Sequence, residues 1–485
     1  MKNQVQLIAY ADRFGCGGIA GITRLLDGPL AGLFGGIHLL PFYYPIHGSD
    51  AGFDPIDHTS VDACLGGWHE VGELGKRVDV MADLIVNHIS SQSPQFLDYC
   101  EKGEASAYNG LFLTLDGVFP NGATETDLLR IYRPRPGLPF TSVTLKDGQK
   151  RLLWTTFTSE QIDIDVTSSQ GQAYLQMVLE TLHDNGIRML RLDAAGYAVK
   201  KAGSSCFMIP ETFAFIEALT QRAKAFGIEV LVEIHAYYRK QIEIARHVDR
   251  VYDFALPPLI LHAIFNHTAQ PLAEWLAISP RNAITVLDTH DGIGVMDVRA
   301  DSANPHANPG LISPAALDGL VERIHINSQG QSRQATGAAA SNLDLYQVNS
   351  TFYDALARND EHYLLARAIQ FFAPGVPQVY YVGLLAGEND MALLRKSGVG
   401  RDINRHYYTC DEIEQAVQRP VVQSLFELIR FRNRHPAFNG TFSLPATNDG
   451  ARLAMRWDNG DAWALLEVSL VSGTYHISNS VPGSP

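Results

Sequence analysis

Basic charge is scarce in this chain, with 38 Lys and Arg against 52 Asp and Glu and a formal net charge of −14. A nucleic-acid binder needs a basic face to neutralise phosphates, so that class of partner is excluded as the main one. Cysteine is scarce too. Cys16, Cys64, Cys100, Cys206 and Cys410 are scattered, odd in number and without a CxxC pair, which argues against a disulfide framework or a thiolate zinc site; the expectation is five inert thiols. Long apolar runs are missing. The one uncharged window, Ala368 to Gly387, is broken by Gln370, Pro374, Gly375, Pro377 and Gln378, so it reads as helix end, turn and buried strand rather than a membrane span. The first residues, Met1 to Asp12, hold no apolar stretch of signal-peptide length. These absences together predict a cytoplasmic protein with no membrane partner. Repeats, charge blocks and low-complexity tracts are absent as well.

What is present is ordinary globular composition, 46% hydrophobic and 19% charged over 485 residues. Eight short runs rich in Val, Ile, Leu and Tyr recur: Val5–Tyr10, Gly36–Pro41, Asp79–His88, Ile187–Ala195, Glu229–Ile234, Val251–Leu256, Ile284–Asp291 and Val376–Val382. Most lack polar alternation, which marks strands buried on both faces, as in a parallel sheet. Helical patterns at Gly171–Asn185, Pro210–Phe226 and Asp354–Phe372 lie between them. Eight strand–helix repeats predict an α/β fold, a (β/α)₈ TIM barrel.

Two connections are too long for ordinary barrel loops and read as functional insertions after strands 3 and 7. The expected organisation is barrel over 1–88, 166–291 and 350–435, an insertion domain over 89–165, a second insertion over 292–349, and a small β domain over 436–485. In that last segment the strand-like runs are Leu453–Trp457 and Ala462–Val468.

Ionisable residues sit where several apolar runs end: Asp83 with Asn87-His88, Arg191-Leu192-Asp193, Glu233 with His235, and Asp288 with His290-Asp291. A lone Asp after a strand is commonly a helix cap. Four such ends in register point instead to the face where barrel active sites are built. Burying three carboxylates together costs several kcal/mol unless they are paired, and Arg191 and Arg401 supply counter-charge. One carboxylate can attack a sugar carbon, a second can protonate the leaving oxygen, and a third can hold sugar hydroxyls; that is the logic of retaining glycoside chemistry. No HxH, HExxH or CxxC spacing suggests a metal, and no Gly-rich phosphate loop follows the first run, so neither metal nor cofactor is expected.

At these motifs the chain resembles the α-amylase superfamily, and within it the sucrose phosphorylases. The likeness extends through Asp50–His58, Val118–Thr124, Ile131–Gly137, Val251–Pro258, Ala340–Gln347 and Gly400–His406, covers roughly residues 4–435 and fades in the C-terminal sheet. The resemblance implies Asp193 as nucleophile, Glu233 as general acid and base, and Asp291 as transition-state stabiliser. It implies Asp50, His88, Arg191, His290 and Arg401 as glucose-subsite hydrogen-bonders, with Phe53 and Phe157 as the apolar platform. It places Arg135, with Leu345 and Tyr346, against phosphate, and Asp344 and Gln347, with Tyr197 and His235, on the fructose side. The substrates implied are sucrose, inorganic phosphate, glucose 1-phosphate and fructose; a homodimer is compatible with the family but written in no residue pattern. Rival readings are a sucrose hydrolase, a phosphorylase of sucrose 6′-phosphate, glucosylglycerol or glucosylglycerate, and a silent carbohydrate-binding protein. An acidic Asp344 would repel an acceptor phosphate. Fructose and phosphate would occupy overlapping space in turn, so the 344–347 loop is expected to rearrange between half-reactions. The superfamily's hydrolases often carry calcium near the position of Asn87, where this sequence shows no acidic cluster.

Overall fold

The computed structural model describes residues 1–48, 50–134, 137–301, 304–337 and 347–480. Its centre is a closed barrel of eight parallel strands: β1 (Gln6–Ala9), β2 (Gly36–Leu39), β3 (Asp79–Ile85), β4 (Met189–Asp193), β5 (Glu229–Val232), β6 (Arg250–Asp253), β7 (Ala283–Thr285) and β8 (Val376–Tyr380). Each pairs with its neighbours in sequence order, and β8 closes onto β1 with Gln6 opposite Gln378. All eight expected runs are barrel strands, each shorter than its apolar run. Val86–His88, Ala194–Ala195 and Val286–Asp291 have left the ladder, and His88, Ala194, His290 and Asp291 among them face a cavity.

Leu7, Leu39, Val80, Leu192, Val230, Ile284 and Val379 are buried to 1% exposure or less, each contributing about 1.5–3 kcal/mol by leaving water. The barrel interior is polar by comparison. Gln6, His38, Asp83, Arg191 and Gln378 are almost inaccessible, and Tyr252 donates to Gln378 Oε1 at 3.3 Å.

The helices form where caps and turn residues allow. Ser168 caps helix Ser169–Asp184 by accepting from Gly171 N, and left-handed Gly186 follows its end. Pro210 opens helix Pro210–Ala225, where the missing N–H costs nothing. The expected helix Asp354–Phe372 is corrected to two, Phe352–Ala355 and Asp360–Phe372. Thr351 caps the first, Ala357 and Arg358 turn left-handed, and Asn359 caps the second by accepting from His362 N. At Gly375, which has φ +126°, an added Cβ would lie 2.4 Å from the Ala283 carbonyl oxygen, so only glycine lets the chain enter β8 beside β7.

His88–Ser90 leaves the barrel to pair antiparallel with Gln161–Asp163. Ile293–Gly294 pairs with Gln347–Val348. After the barrel comes an antiparallel sheet of four strands rather than two: β9 (Thr441–Ser443), β10 (Arg452–Asn459), β11 (Ala462–Ser469) and β12 (Thr474–Asn479). Trp457 docks it to the barrel by donating to the Phe372 carbonyl at 2.8 Å. The thiol expectation is corrected at one pair. Cys16 and Cys410 are joined as a disulfide with Cα atoms 5.7 Å apart, because the fold packs together segments that are 394 residues apart in sequence. Cys64, Cys100 and Cys206 are free. Among the described residues no helix is long and apolar enough to cross a membrane.

Candidate active site

The alternation of a strand puts Arg191 and Asp193 on the same, inward face of β4. The barrel register sets Arg191 beside Asp83 on β3 and Leu231 on β5. One guanidinium therefore serves three carboxylates: Arg191 Nη1 donates to Asp83 and, at 2.9 Å, to Asp193 Oδ1, while Nη2 lies 2.9 Å from Glu233 Oε1. Arg191 is 2% exposed, and this sharing offsets the cost of burying the charges. Behind it, His38 Nε2 meets Asp83 Oδ2 at 2.9 Å. Burial alone would raise the Asp83 carboxyl, yet His38 and Arg191 bring it down to about 2.

Glu233 follows β5 directly, and the N–H of left-handed Ala194 approaches its Oε2 at 3.4 Å. Asp291 comes from the loop after β7. Arg401 Nη1 donates to its Oδ1 at 2.6 Å, Arg405 Nη2 lies 3.8 Å from the same oxygen, and His290 Nε2 lies 3.8 Å from Oδ2. Arg401 also lies 3.8 Å from Asp50. Despite its burial, Asp291 is held well below the usual carboxylate range by His290, Arg401 and Arg405. Burial raises Asp193 well above that range against the pull of Arg191, and Glu233, Asp83 and Asp291 add repulsion. The cluster thus combines two carboxylates held ionised, Asp83 and Asp291, with an Asp193 whose proton affinity is raised.

These groups open into a cavity of about 410 Å³. Of the residues singled out from sequence, Asp193, Glu233, Asp291, Asp50, Phe53, His88, Phe157, Tyr197, His235, His290, Gln347 and Arg401 line it. Arg191 lies beneath the carboxylates rather than in the lining. Arg135, Asp344, Leu345 and Tyr346 lie outside the described residues. Phe53 stacks on His290 with centroids 4.9 Å apart, and its carbonyl meets His88 Nε2 at 2.9 Å. Phe157 stands edge-on between His88 and Tyr197, at 5.4 and 5.1 Å. Burial lowers the proton affinity of both His88 and His290, and these imidazoles lie beside apolar rings, a surface suited to one face and the hydroxyls of a sugar.

Sequence reasoning missed two rings that extend this aromatic strip beyond Tyr197. Tyr132 stacks on Phe207 at 4.5 Å, and Phe207 lies 4.6 Å from Tyr197. Tyr132 stood within a quoted motif, whereas Phe207 lies in a loop with no pattern to mark it. Gln161 and Met296 also line the cavity.

Two places bear on metal binding. Glu233, His235 and Asp291 offer ligand atoms within 4.8 Å of one another, but Arg191 and Arg401 already engage the two carboxylates. At Asn87 the cation is a lysine. Lys200 Nζ lies 2.9 Å from Asn87 Oδ1 and 2.9 Å from Asp163 Oδ2, and it donates to the Tyr197 carbonyl.

No family model matches the chain, but individual relatives do. It is 60% identical over 480 residues to a sucrose phosphorylase of Agrobacterium vitis, covering 99% of this chain and 98% of that protein. It is 54% identical over 466 residues to a sucrose phosphorylase of Bifidobacterium adolescentis, covering 96% and 92%. The crystal structure of sucrose 6F-phosphate phosphorylase from Thermoanaerobacter thermosaccharolyticum superposes with a TM-score of 0.91 at 36% identity, covering 100% and 97% of the two chains. With these identities spanning nearly the full length of both partners, the chain belongs to the sucrose phosphorylase family.

Proposed function

We propose that the chain converts sucrose and phosphate to α-D-glucose 1-phosphate and fructose by double displacement. The observation that carries this reading is Arg191 holding Asp193 and Glu233 together, with Asp291 in the same cavity. An Asp193 oxygen attacks C1 as the C1–O bond to fructose breaks, and Glu233 gives its proton to the departing oxygen. A phosphate oxygen then attacks C1, Asp193 leaves, and the phosphate proton returns to Glu233. Two inversions give net retention. Asp291, ionised and tethered by Arg401, stabilises the oxocarbenium-like transition state. Phe53 and Phe157 flank the ring, and Asp50, His88, His290 and Arg401 hold its hydroxyls.

On this reading Tyr197, His235, Asp344 and Gln347 face fructose, while Arg135, Leu345 and Tyr346 face phosphate, the 344–347 loop rearranging between half-reactions. The 89–165 and 292–349 segments are insertions at the active-site face, and 436–485 is a small C-terminal β domain. The chemistry requires no cofactor. We assign the reaction to the cytoplasm.

The test is sugar analysis of sucrose incubations with and without inorganic phosphate. Phosphate-dependent α-glucose 1-phosphate, matched by fructose, supports the reading. Free glucose and fructose at equal rates in both would make the protein a hydrolase. No turnover of sucrose, with turnover of sucrose 6′-phosphate, glucosylglycerol or glucosylglycerate, would move the specificity to that glucoside.

A further inference from the structure

Behind the acceptor side of the cavity lies a buried carboxylate that the mechanism above does not use. Asp297 sits on the short helical turn Met296–Val298, in the insertion after β7, and is 0% exposed. Its Oδ2 meets His235 Nδ1 at 3.1 Å. Its Oδ1 accepts from Ala236 N at 3.2 Å and from the Gln241 side chain. Gly294 leaves room for it, since an added Cβ there would stand 3.0 Å from Asp297 Oδ2 and 3.5 Å from the His235 ring.

His235 is held on other sides as well. Its ring stacks on Phe254 with centroids 3.9 Å apart and planes 13° apart, so rotation about its axis is blocked. A carboxylate at Nδ1 makes that nitrogen the proton donor, which aims Nε2 toward Glu233 Oε1, 4.0 Å away. The charged groups facing the imidazole are Asp297, Glu233 and Asp291. All three are anionic when ionised. Although burial opposes charge on the ring, Asp297 first and then Glu233 and Asp291 favour the imidazolium.

We propose that Asp297 is a positioning residue that holds His235 as an oriented cation beside Glu233. This rests on the reading of Glu233 as acid and base. Once Glu233 has given its proton to the leaving oxygen it is a buried carboxylate, and it stays one until the acceptor's proton arrives. An imidazolium 4 Å away stabilises that interval. His235 keeps its proton throughout, so the proton balance of the two half-reactions is unchanged. The insertion after β7 thereby tunes the acid–base carboxyl from outside the cavity.

The test is a double-mutant cycle of Asp297→Asn and His235→Gln, each variant checked for parental thermal unfolding. Asp297→Asn is expected to lower kcat/KM for sucrose by about 2- to 150-fold, the span of coupling between residues in contact. Removing the anion lowers the proton affinity of His235, so the alkaline limb of the pH profile moves to lower pH. In the His235→Gln background, Asp297→Asn should cost less than about twofold more. Equal losses in both backgrounds, or an unmoved pH profile in Asp297→Asn, would overturn the proposal. Titration of the His235 imidazole by NMR in parent and Asp297→Asn gives a readout independent of turnover, and an unchanged titration would overturn it as well. A parent that turns over no glucoside would instead defeat the acid–base reading of Glu233, which separates the two failures.

Discussion

Lys200 places its ammonium 2.9 Å from an Asp163 carboxylate that no solvent reaches, and this one contact ties together three segments of the cavity. Asp163 also accepts from Asn87 Nδ2 at 3.0 Å, from Thr156 N at 3.1 Å and from the Thr156 hydroxyl. Through these bonds it anchors the neighbours of His88 and Phe157, while Lys200 itself holds the Tyr197 carbonyl.

Lys200→Met strips the partner from that buried carboxylate and should destabilise the fold by about 3–5 kcal/mol. Glucose-side and acceptor-side affinities should both weaken. Denaturant unfolding alongside Lys201→Met provides the contrast. Lys201 pairs with Glu211 on the surface, where substitution should leave the midpoint in place.

Glu233→Gln removes the proposed proton donor yet keeps the shape of the side chain. Turnover of sucrose should fall by about 10²–10⁴-fold. Glucosyl transfer from an activated donor such as α-glucosyl fluoride, whose leaving group needs no proton, should persist. Equal losses on both donors would reassign the acid.

Arg135→Ala should impair phosphorolysis more than the slow hydrolysis that water supports at the same intermediate. The ratio of glucose 1-phosphate to free glucose reads this directly. An unchanged ratio would give Arg135 a role in the fold alone.

Asp83 couples the site to acid stability. Its folded-state proton affinity lies at about 2, below the ordinary 3.8, so its stabilisation is complete above that ordinary value and is lost as pH falls through about 2. The shift corresponds to about 2 kcal/mol. The unfolding free energy of the parent should drop by that much more than that of Asp83→Asn between about pH 5 and pH 2. Parallel curves would mean that Arg191 and His38 do not depress this carboxyl.

The barrel was legible because parallel strands buried on both faces leave uninterrupted apolar runs, and all eight are found. Its strand ends were not, because the first residues past the ladder, Val86 and Val286-Leu287, are as apolar as the strands they leave. The carboxylate cluster was legible because ionisable residues at the ends of apolar runs are costly and few. Residues acting across the chain left no local mark. Phe207 stacks on Tyr132 from a separate loop, Lys200 reaches Asp163 through space, and Asp297 meets His235 from 62 residues away. The disulfide between Cys16 and Cys410 was hidden for the same reason. The helix break after Ala355 escaped because Ala357 and Arg358 are ordinary helix formers held left-handed by the caps on either side.

In the proposed mechanism Asp193 supplies the oxygen that bonds C1 in a covalent glucosyl-enzyme. A fluorinated α-glucosyl donor that slows deglycosylation, followed by digestion and peptide mass analysis, reads it out. One glucosyl adduct on Asp193, released on adding phosphate as the α-glucosyl phosphate, is the expected result. An adduct on Glu233 or Asp291, or turnover with inversion and no adduct, would contradict it.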